Sequence, residues 1–397
     1  MKTAAIIAEY NPFHNGHAYH IEETKRLTGA DRIIVIMSGS FVQRGTPAIC
    51  DKHLRAKAAL ENGADLVLEL PLSYAVGNAE VFASGAVEIL DRLGIVDILS
   101  FGAETDNLQE LINISTFLNN ETDEFKASLK QEMASGKNYA QARANAMPKI
   151  NAALFSSPNA ILGIEYIRAL QKRNSSIQPF IVCRQGAGYN DTALQSRRTG
   201  KNFTSATAIR KVLLSDRAEE YRAKLSGLVP EGMLADLYTE LSHHGLICEN
   251  DFSLLLHEKI LTSSDADLVS HPSINEDLAN RICRHQYRFK SFSAFADLLK
   301  CKNYTHSRIR RALLEILLDL KQPTAVNKVR VLGCRKESLG LLSEIFSRGS
   351  VSLVTSLAKE ECFWQSDTLY ELILAHKKKT PMTPEPSKGM IVPTYLP

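Results

Sequence analysis

The fold of this chain is decided at its amino terminus, where residues 3–17 read TAAIIAEYNPFHNGH. Residues 3–8 are mostly apolar and include two isoleucines, a composition that predicts a buried β-strand. Pro12 then favours a turn, and a helical pattern begins near Gly16. A strand that leads through a turn into a helix is the first part of a β-α-β unit, so this stretch predicts an α/β fold.

Short apolar runs alternate with amphipathic helical stretches from there to about residue 185. This pattern is typical of a parallel sheet that is covered by helices. The predicted strands are 3–8, 32–37, 66–70, 96–101 and 179–183, and the predicted helices are 16–27, 52–62 and 78–93. We therefore predict a doubly wound parallel sheet of the α/β class, with its ligand beyond the carboxyl ends of the strands.

The second half of the chain has a different organisation, because helical periodicity replaces the strand pattern from about residue 215. One short β-rich run, residues 328–332, interrupts this pattern. We predict an α/β domain over residues 1–214 and a C-terminal, mainly α-helical domain over residues 215–376. The tail of residues 377–397 is basic and contains several prolines, and we expect it to pack poorly.

The composition is that of an ordinary globular protein, since 44% of the 397 residues are hydrophobic and 23% are charged. These values exclude a long disordered or collagen-like chain. No run approaches the roughly 18 consecutive apolar residues that span a bilayer, so no membrane segment is expected. Seven cysteines without CxxC spacing indicate a reduced, cytoplasmic protein, and residue spacing reveals no metal site.

Two histidines lie at the predicted junction between the first strand and its helix, at positions 14 and 17. A helix amino terminus favours anions, because its first N–H groups have no partner in the helix and its dipole is positive there. Gly16 would let a ligand approach the backbone, and both imidazoles could face one phosphate. The pattern HxGH also occurs by chance, so these histidines could instead be a cap or surface residues.

A second motif follows the last predicted strand, where residues 205–210 read SATAIR and open a helix. Ser205 or Thr207 would cap this helix. The Thr207 hydroxyl, the helix amino terminus and the Arg210 guanidinium would together form a cradle for pyrophosphate. The alternative is an ordinary cap followed by an exposed arginine. Both motifs lie at helix starts that follow sheet strands. Because chance would rarely place both there, we favour a phosphate site.

HxGH after the first strand and SxTxIR after the last resemble the nucleotidylyltransferase superfamily, whose members attack the α-phosphate of ATP and release pyrophosphate. Residues 7–17, 37–45 and 68–71, which read IAEYNPFHNGH, MSGSFVQRG and LELP, are similar to the bacterial tRNA(Met) cytidine acetate ligase family. The resemblance covers the whole chain, most densely residues 1–210. It implies that ATP activates acetate as acetyladenylate, and that the acetyl group passes to N4 of the wobble cytidine of elongator tRNA(Met), which gives N4-acetylcytidine.

The resemblance also implies which residues act. Those implied for catalysis are His14, His17 and Arg210. Those implied for ATP binding are Ile7, Ala8, Glu9, Tyr10, Asn11, Pro12, Phe13, His14, Asn15, Gly16, His17, Ala18, Tyr19, His20, Gly102, Asn159, Arg184 and Thr207. Alternatively, Gly102 only ends a strand, Asn159 caps a helix and Arg184 is a solvated loop charge. Arg44 and Lys52 are weaker candidates. Mg²⁺ would offset the triphosphate charge, but its ligands cannot be identified.

Basic residues are concentrated between positions 281 and 336, where there are fourteen lysines and arginines and three acidic residues. Aromatic residues are interleaved with them, a combination that suits a polyanion. We therefore expect the helical half to bind the tRNA, and the predicted contacts are Arg308, Arg310 and Arg311. The alternative is that these arginines pair with acids of their own helix, such as Glu315.

Two other functions stay open at this point. The first is a small-molecule adenylyltransferase whose helical half is an oligomerisation domain. The second is a non-catalytic RNA-binding protein that senses ATP. The basic block argues against the first, and the presence of both motifs argues against the second. The oligomeric state cannot be read from the residues.

Overall fold

Strands and helices alternate in the first half of the computed structural model, which describes residues 1–137, 139–147, 154, 157–183, 196–198, 201–215, 218–357 and 365–393. The strands are β1 (Thr3–Ala8), β2 (Arg32–Ser38), β3 (Phe41–Val42), β4 (Thr46–Pro47), β5 (Leu66–Leu70), β6 (Ile98–Ala103), β7 (Gln178–Cys183), β8 (Ser196–Arg198), β9 (Lys201–Phe203), β10 (Lys328–Cys334) and β11 (Ser352–Val354).

Helices dominate the second half of the chain. The helices are α1 (Asn15–Thr28), α2 (Lys52–Glu61), α3 (Leu72–Ala75), α4 (Ala79–Leu93), α5 (Leu108–Asn119), α6 (Asp123–Ala134), α7 (Tyr139–Ala146), α8 (Pro158–Lys172), α9 (Ala206–Ser215), α10 (Ala218–Leu225), α11 (Glu231–Ser242), α12 (Ser253–Thr262), α13 (Asp265–Val269), α14 (Glu276–His285), α15 (Phe292–Leu299), α16 (His306–Leu317), α17 (Gly340–Arg348) and α18 (Gln365–Lys378).

The main sheet has seven strands in the order β11-β10-β5-β2-β1-β6-β7. Strands β5, β2, β1, β6 and β7 run parallel, which confirms the predicted doubly wound sheet. The chain leaves β1 towards β2 and β5 on one side and then returns to β6 and β7 on the other. The winding therefore reverses between β1 and β6, and open α/β sheets bind ligands beyond the carboxyl ends of strands at such a point.

Both faces of the sheet are covered, which explains why its strands are apolar without alternation. In β2, for example, every residue from Ile33 to Met37 is fully buried. Helices α4, α5 and α8 pack on one face, and α1, α2, α9 and α11 pack on the other. The predicted helix at 78–93 is confirmed as α4, because Asn78 accepts a hydrogen bond from the Val81 N–H and Gly94 ends the helix with φ +69°.

The β-rich run at 328–332 belongs to the main sheet rather than interrupting a helical region. It lies in β10, which pairs antiparallel with β5, and β11 then pairs parallel with β10. Val329, Val331 and Leu332 are buried in this position, so the apolar run is explained by its pairing with a strand from the first half. The division of the chain at residue 214 stays a prediction, but the sheet takes strands from both sides of it.

The tail is anchored at two points where the structure describes it, but more than half of its described side chains are exposed, so the expectation of poor packing was only partly right. The Ile391 N–H donates to the Leu332 carbonyl, and the Cys334 N–H donates back to Ile391, both over 2.9 Å. Glu385 is 1% exposed and accepts hydrogen bonds from Arg330 at 2.5 Å and from His53. The composition of the tail did not reveal these anchors, because the folded sheet supplies the strand edge for Ile391 and the cations for Glu385.

A buried ionic cluster joins α2 to the carboxyl-terminal segments. The Lys52 Nζ atom, in a side chain that is 2% exposed, lies 2.5 Å from Asp367 and 2.8 Å from Glu69. Burial alone would lower the pKa of Lys52, but Asp367 and Glu69 outweigh it and raise the pKa. Lys52, a weaker candidate for the site, is therefore an internal cation that connects separate parts of the fold.

The helical part has its own core, formed mainly by α12, α14, α15 and α16. The hairpin of β3 and β4 lies between this core and the sheet. Phe41 of the hairpin contacts Phe252 and Tyr370, with ring centroids 5.8 and 6.1 Å apart. Gly45 has φ +76°, and a Cβ atom there would lie 2.4 Å from the Arg311 backbone nitrogen. The hairpin thus packs directly against the backbone of α16.

Candidate active site

A cavity of about 210 Å³ opens beyond the carboxyl ends of β1, β6 and β7, where the winding of the sheet reverses. The topology alone predicts a ligand here. From the predicted set, the residues that line the cavity are Ile7, Ala8, Glu9, Tyr10, Asn11, His14, Gly16, His17, Tyr19, His20, Gly102, Asn159, Thr207 and Arg210. The two sequence motifs, almost 200 positions apart, thus meet in one cavity.

The histidine turn is built as a helix cap. The His14 Nδ1 atom accepts a hydrogen bond from the Gly16 N–H at 3.0 Å, and the His17 Nδ1 atom accepts one from the His14 N–H at 3.2 Å. The two rings stack with centroids 3.7 Å apart. Because each Nδ1 atom is an acceptor, the proton of each neutral ring is on Nε2, which makes Nε2 a donor for an oxyanion.

The structure adds a second reason for glycine at position 16 and changes the expected role of the helix start. A Cβ atom at position 16 would lie 2.9 Å from the His14 ring, so glycine is needed here to make room for that ring. The first N–H groups of α1 are also occupied, since Asn15 donates to the Leu228 carbonyl and Gly16 donates to His14. The bare helix end therefore offers fewer N–H groups to an anion than the sequence pattern predicts.

Arg55 fixes the end of β1 and was missed by the sequence analysis. This fully buried side chain donates to the carbonyl oxygens of Glu9 at 2.7 Å and Ser38 at 3.0 Å, as well as to Gly39 at 2.5 Å. It thereby fastens the carboxyl ends of two neighbouring parallel strands to each other. No motif reveals this role, because its partners are backbone atoms that only the folded sheet brings together.

The second motif places two guanidinium groups at the cavity. Ser205 is the cap of α9, as its Oγ atom accepts the Ala208 N–H at 3.0 Å. The Thr207 Oγ1 atom accepts hydrogen bonds from Arg210 at 3.1 Å and from Arg44 at 3.3 Å. Arg210 also donates to the Asn11 carbonyl at 2.6 Å, which ties α9 to the histidine turn. Arg44, a weaker candidate from the sequence, therefore lies beside Arg210.

Three side chains that line the cavity have a buried polar atom without a hydrogen-bond partner. These atoms are Tyr10 Oη, Gln43 Nε2 and Thr204 Oγ1. Burial raises the pKa of Tyr10, so its hydroxyl keeps its proton and remains a donor. An unsatisfied buried polar group costs about 1–3 kcal/mol, and a bound polar ligand would remove that cost. Gln43 and Thr204 were not selected as site residues from the sequence.

Part of the cavity lining is apolar and comes from α4, β6, α8 and β7. It includes Phe82, Phe101, Leu162, Tyr166 and Val182. Gly163 permits this arrangement, because a Cβ atom there would lie 2.6 Å from the Phe101 ring. Such an apolar lining suits a flat, weakly polar group, whereas the histidines and arginines of the lining suit an anion.

Asn159 lies in the first turn of α8, and Ser157 rather than Asn159 caps this helix. The Asn159 amide donates to Glu104 at 2.6 Å, and the Ser157 hydroxyl donates to the same carboxylate. Glu104 directly follows β6, so it orients the Asn159 side chain relative to the sheet. Gly102 lies within β6 and lines the cavity, one residue before the strand ends.

Some predicted ATP contacts lie away from the cavity lining. Pro12 and Phe13 are buried, and the Phe13 ring packs against Tyr10 with centroids 4.8 Å apart. The Asn15 side chain donates to the Gly227 carbonyl at 2.8 Å. Ala18 is also absent from the lining. Arg184 lies outside the residues that the structure describes.

The three arginines predicted to bind RNA are partly occupied within the protein. Arg310 forms an ion pair with Glu249 at 2.7 Å, and Arg308 lies over the Tyr304 ring at 4.9 Å. Glu315 accepts hydrogen bonds from the N–H and hydroxyl of Ser273, and a buried Arg311 Nε atom has no hydrogen-bond partner. Arg310 also lines a smaller cavity of about 90 Å³, together with Arg44 and Arg210.

The described residues contain no group of three His, Cys, Asp or Glu side chains that could hold a metal ion. Within the same part of the chain, no helix is both long and apolar enough to cross a membrane.

A family model described as HIGH Nucleotidyl Transferase matches residues 1–385 of this chain. A protein of Acetivibrio thermocellus is 36% identical over 373 residues, which cover 90% of this chain and 89% of that protein. A protein of Caldanaerobacter subterraneus is 37% identical over 383 residues, covering 94% of this chain and 92% of that protein. Both relatives are named tRNA(Met) cytidine acetate ligase.

Two crystal structures of Thermotoga maritima TmcAL are similar to this chain over nearly its whole length. The form bound with alpha-thio ATP has a TM-score of 0.80 and 29% identity, covering 96% of this chain and 90% of that one. The apo form has a TM-score of 0.89 and 27% identity, covering 99% of this chain and all of that one. These findings confirm the resemblance inferred from the motifs: the chain belongs to the HIGH nucleotidyl transferase family and, within it, to the enzymes named tRNA(Met) cytidine acetate ligase.

Proposed function

We propose that this enzyme uses ATP to activate acetate and then acetylates N4 of the wobble cytidine of elongator tRNA(Met). In the first step, an acetate oxygen attacks the α-phosphorus of ATP, the bond to the β-phosphate bridging oxygen breaks, and pyrophosphate leaves. In the second step, the cytidine amino group attacks the acetyl carbon, the carbon–oxygen bond to AMP breaks, and N4 loses a proton. The products are N4-acetylcytidine and AMP.

The observation that carries this proposal is the meeting of both motifs in one cavity at the reversal point of the sheet. The names of the relatives and the alpha-thio ATP in the Thermotoga structure support ATP as the substrate. The apolar wall near Phe101 suits the adenine, and the wall near His14 and Arg210 suits the phosphates. Acetate would then lie on the α-phosphate side, opposite the leaving pyrophosphate.

Charge stabilisation is the main work that the side chains would do. The α-phosphorus gains a fifth oxygen in the transition state, and the Nε2 donors of His14 and His17 would compensate the negative charge on its oxygens. Arg210 and Arg44, which meet at Thr207, would neutralise the pyrophosphate as it leaves. Mg²⁺ remains a prediction: it would offset triphosphate charge, but no protein residues can be named as its ligands.

The acceptor nucleotide needs a route to the activated acetyl group, and the smaller cavity supports one. This cavity shares Arg44 and Arg210 with the larger one and is bounded by Arg310 of α16. A nucleotide that enters between the hairpin and α16 would bring its base towards the cavity and its phosphate towards Arg310. Among the three arginines predicted from the sequence, Arg310 is therefore the one that we infer to contact RNA at the cavity.

Exchange of labelled pyrophosphate into ATP, measured without RNA, tests the first step. We expect exchange that depends on acetate, because only formation of an acyladenylate reverses to give labelled ATP. A small-molecule adenylyltransferase would show exchange only with a phosphorylated acceptor. A non-catalytic ATP sensor would show none under either condition. Either of these results would contradict the proposed function.

A further inference from the structure

The basic block between residues 281 and 336 does not form one uniform surface. Arg281 donates to the carbonyl oxygens of Leu298 and Leu299, which close the end of α15. Arg330 is 2% exposed and belongs to the buried ionic cluster with Glu385. These residues stabilise the fold, so the positive charge that remains for a partner must lie elsewhere in the block.

Unoccupied charge is concentrated where α14 ends. Arg284 lies in the last turn of α14, Arg288 ends a short 3₁₀ turn, and Lys290 follows two residues later. All three side chains are exposed. Among the residues that the structure describes, no carboxylate forms an ion pair with them, whereas Arg310, Lys321, Arg330 and Arg335 of the same block each pair with a carboxylate. We refer to Arg284, Tyr287, Arg288 and Lys290 as the α14 corner.

An aromatic ring lies exposed among these charges. Tyr287 is 84% exposed and occupies the 3₁₀ turn between Arg284 and Arg288. The neighbouring Phe289 has the opposite environment, because it stacks on His257 with centroids 4.5 Å apart and contacts Phe295. Phe289 thus anchors the turn in the helical core, while the Tyr287 ring remains in solvent.

The positive charges around the corner also act on His285, which lies between Arg284 and Tyr287 in the chain. Burial lowers the pKa of His285, and the positive charges of Arg288, Arg281 and Arg284 lower it further. Like charges that are neighbours in sequence on one exposed turn repel one another, and a bound polyanion would relieve the repulsion. The arrangement therefore matches a partner that carries several negative charges.

We propose that the α14 corner docks the RNA substrate, with Arg284, Arg288 and Lys290 on phosphates and Tyr287 stacked on an unpaired base. This inference rests on the proposed function and adds a second RNA surface, distinct from the catalytic cavity. Exposed aromatic rings between cations bind loop or single-stranded RNA, because every base offers a face for stacking. An acidic protein would not need the ring.

Binding of an elongator tRNA(Met) transcript to the full-length protein, over a series of salt concentrations, tests the charges. The variant Arg284→Ala/Arg288→Ala/Lys290→Ala should bind at least 10-fold more weakly at low salt, and its slope of log affinity against log salt should fall by about two units. The control Lys126→Ala/Lys130→Ala/Lys137→Ala removes the same charge from exposed positions on and beyond α6. It should leave the slope unchanged.

The ring is tested separately. Tyr287→Ala should weaken binding by about 10-fold with an unchanged salt slope, and Tyr287→Phe should bind like the unaltered protein. Full affinity and slope in the triple-alanine variant, or an equal loss in the control, would overturn the docking site. Full affinity in Tyr287→Ala would overturn the base contact. Pyrophosphate exchange by the unaltered protein needs no RNA, so its absence would refute the proposed function and leave these binding results standing.

Discussion

His17 has two roles at the residue scale, because its ring both completes the cap of α1 and faces the cavity. A loss of activity after substitution could therefore have a structural or a chemical cause. The two can be separated, since glutamine at this position of a helix also accepts the N–H of the capping residue.

We predict that His17→Ala lowers acetate-dependent pyrophosphate exchange by about 100- to 1000-fold, the usual cost of one lost transition-state donor. Affinity for tRNA should stay nearly intact, since the RNA contacts that we propose lie elsewhere. His17→Gln should match the unaltered protein in thermal stability and still exchange pyrophosphate slowly. Exchange at the original rate in a folded His17→Ala protein would remove His17 from the mechanism.

The residues that could be found from the sequence are those that belong to motifs. His14, His17, Thr207 and Arg210 could be selected because two short patterns fall at strand ends, and strand ends of an α/β sheet converge. Thr204 and Arg55 could not be selected. Their significance lies in an unpartnered hydroxyl and in three strand-end carbonyl contacts, and both depend on neighbours that are distant in sequence.

At the scale of elements, the hairpin of β3 and β4 connects the cavity to α16. Gln43 and Arg44 line the cavity on one side, and Gly45 touches the α16 backbone on the other. A side chain at position 45 would have to push against backbone atoms, which cannot move away as a flexible side chain can.

We predict that Gly45→Ala destabilises the protein by about 2–4 kcal/mol, from a strained positive φ together with overpacking. Gly29→Ala is the matched control, because Gly29 has a similar φ of +65° but no atom within 4 Å of its added Cβ. Gly29→Ala should lower the free energy of unfolding by only about 1–2 kcal/mol, the cost of a positive φ at a residue with a Cβ atom. Urea unfolding of both variants measures the difference, and equal losses would show that the contact with α16 contributes nothing.

Local patterns predicted the five parallel strands of the main sheet but could not place β10 in it. The apolar run at 328–332 is recognisable as a strand, yet its pairing of Val331 with Leu68 joins distant parts of the chain. Periodicity reports which face of a segment is buried and says nothing about its partner. The packing of the tail was missed for the same reason, since its hydrogen bonds to β10 presuppose the finished sheet.

At the scale of the whole molecule, the tail is fastened by Lys388, which lies 2.7 Å from Asp51 and 2.6 Å from Glu371. Burial and the charge of Asp51 raise the pKa of Glu371 from its ordinary 4.5 to about 7, even with Lys388 beside it. A carboxyl whose pKa is higher in the folded chain binds its proton more tightly there. Its contribution to stability therefore decreases as the pH rises from 4.5 to 7.

We predict that Lys388→Met lowers the free energy of unfolding by about 3–5 kcal/mol near pH 8, because two buried carboxylates lose their cation. The decrease in the free energy of unfolding should be smaller near pH 5.5, because Glu371 is protonated there and no longer needs a cation. The double variant Lys388→Met/Glu371→Gln should recover most of the stability at pH 8. A loss from Lys388→Met that is the same at both pH values would contradict this account of the tail.

The central claim is that acetate itself attacks the α-phosphate of ATP in the cavity and that the resulting acetyl group reaches the tRNA. Incubation of the enzyme with ATP, elongator tRNA(Met) and acetate labelled with ¹⁸O at both oxygens follows both steps by mass spectrometry. The account predicts one ¹⁸O atom in AMP and the other in the acetyl group of the modified cytidine. Unlabelled AMP, or ¹⁸O in phosphate released together with ADP, would contradict it.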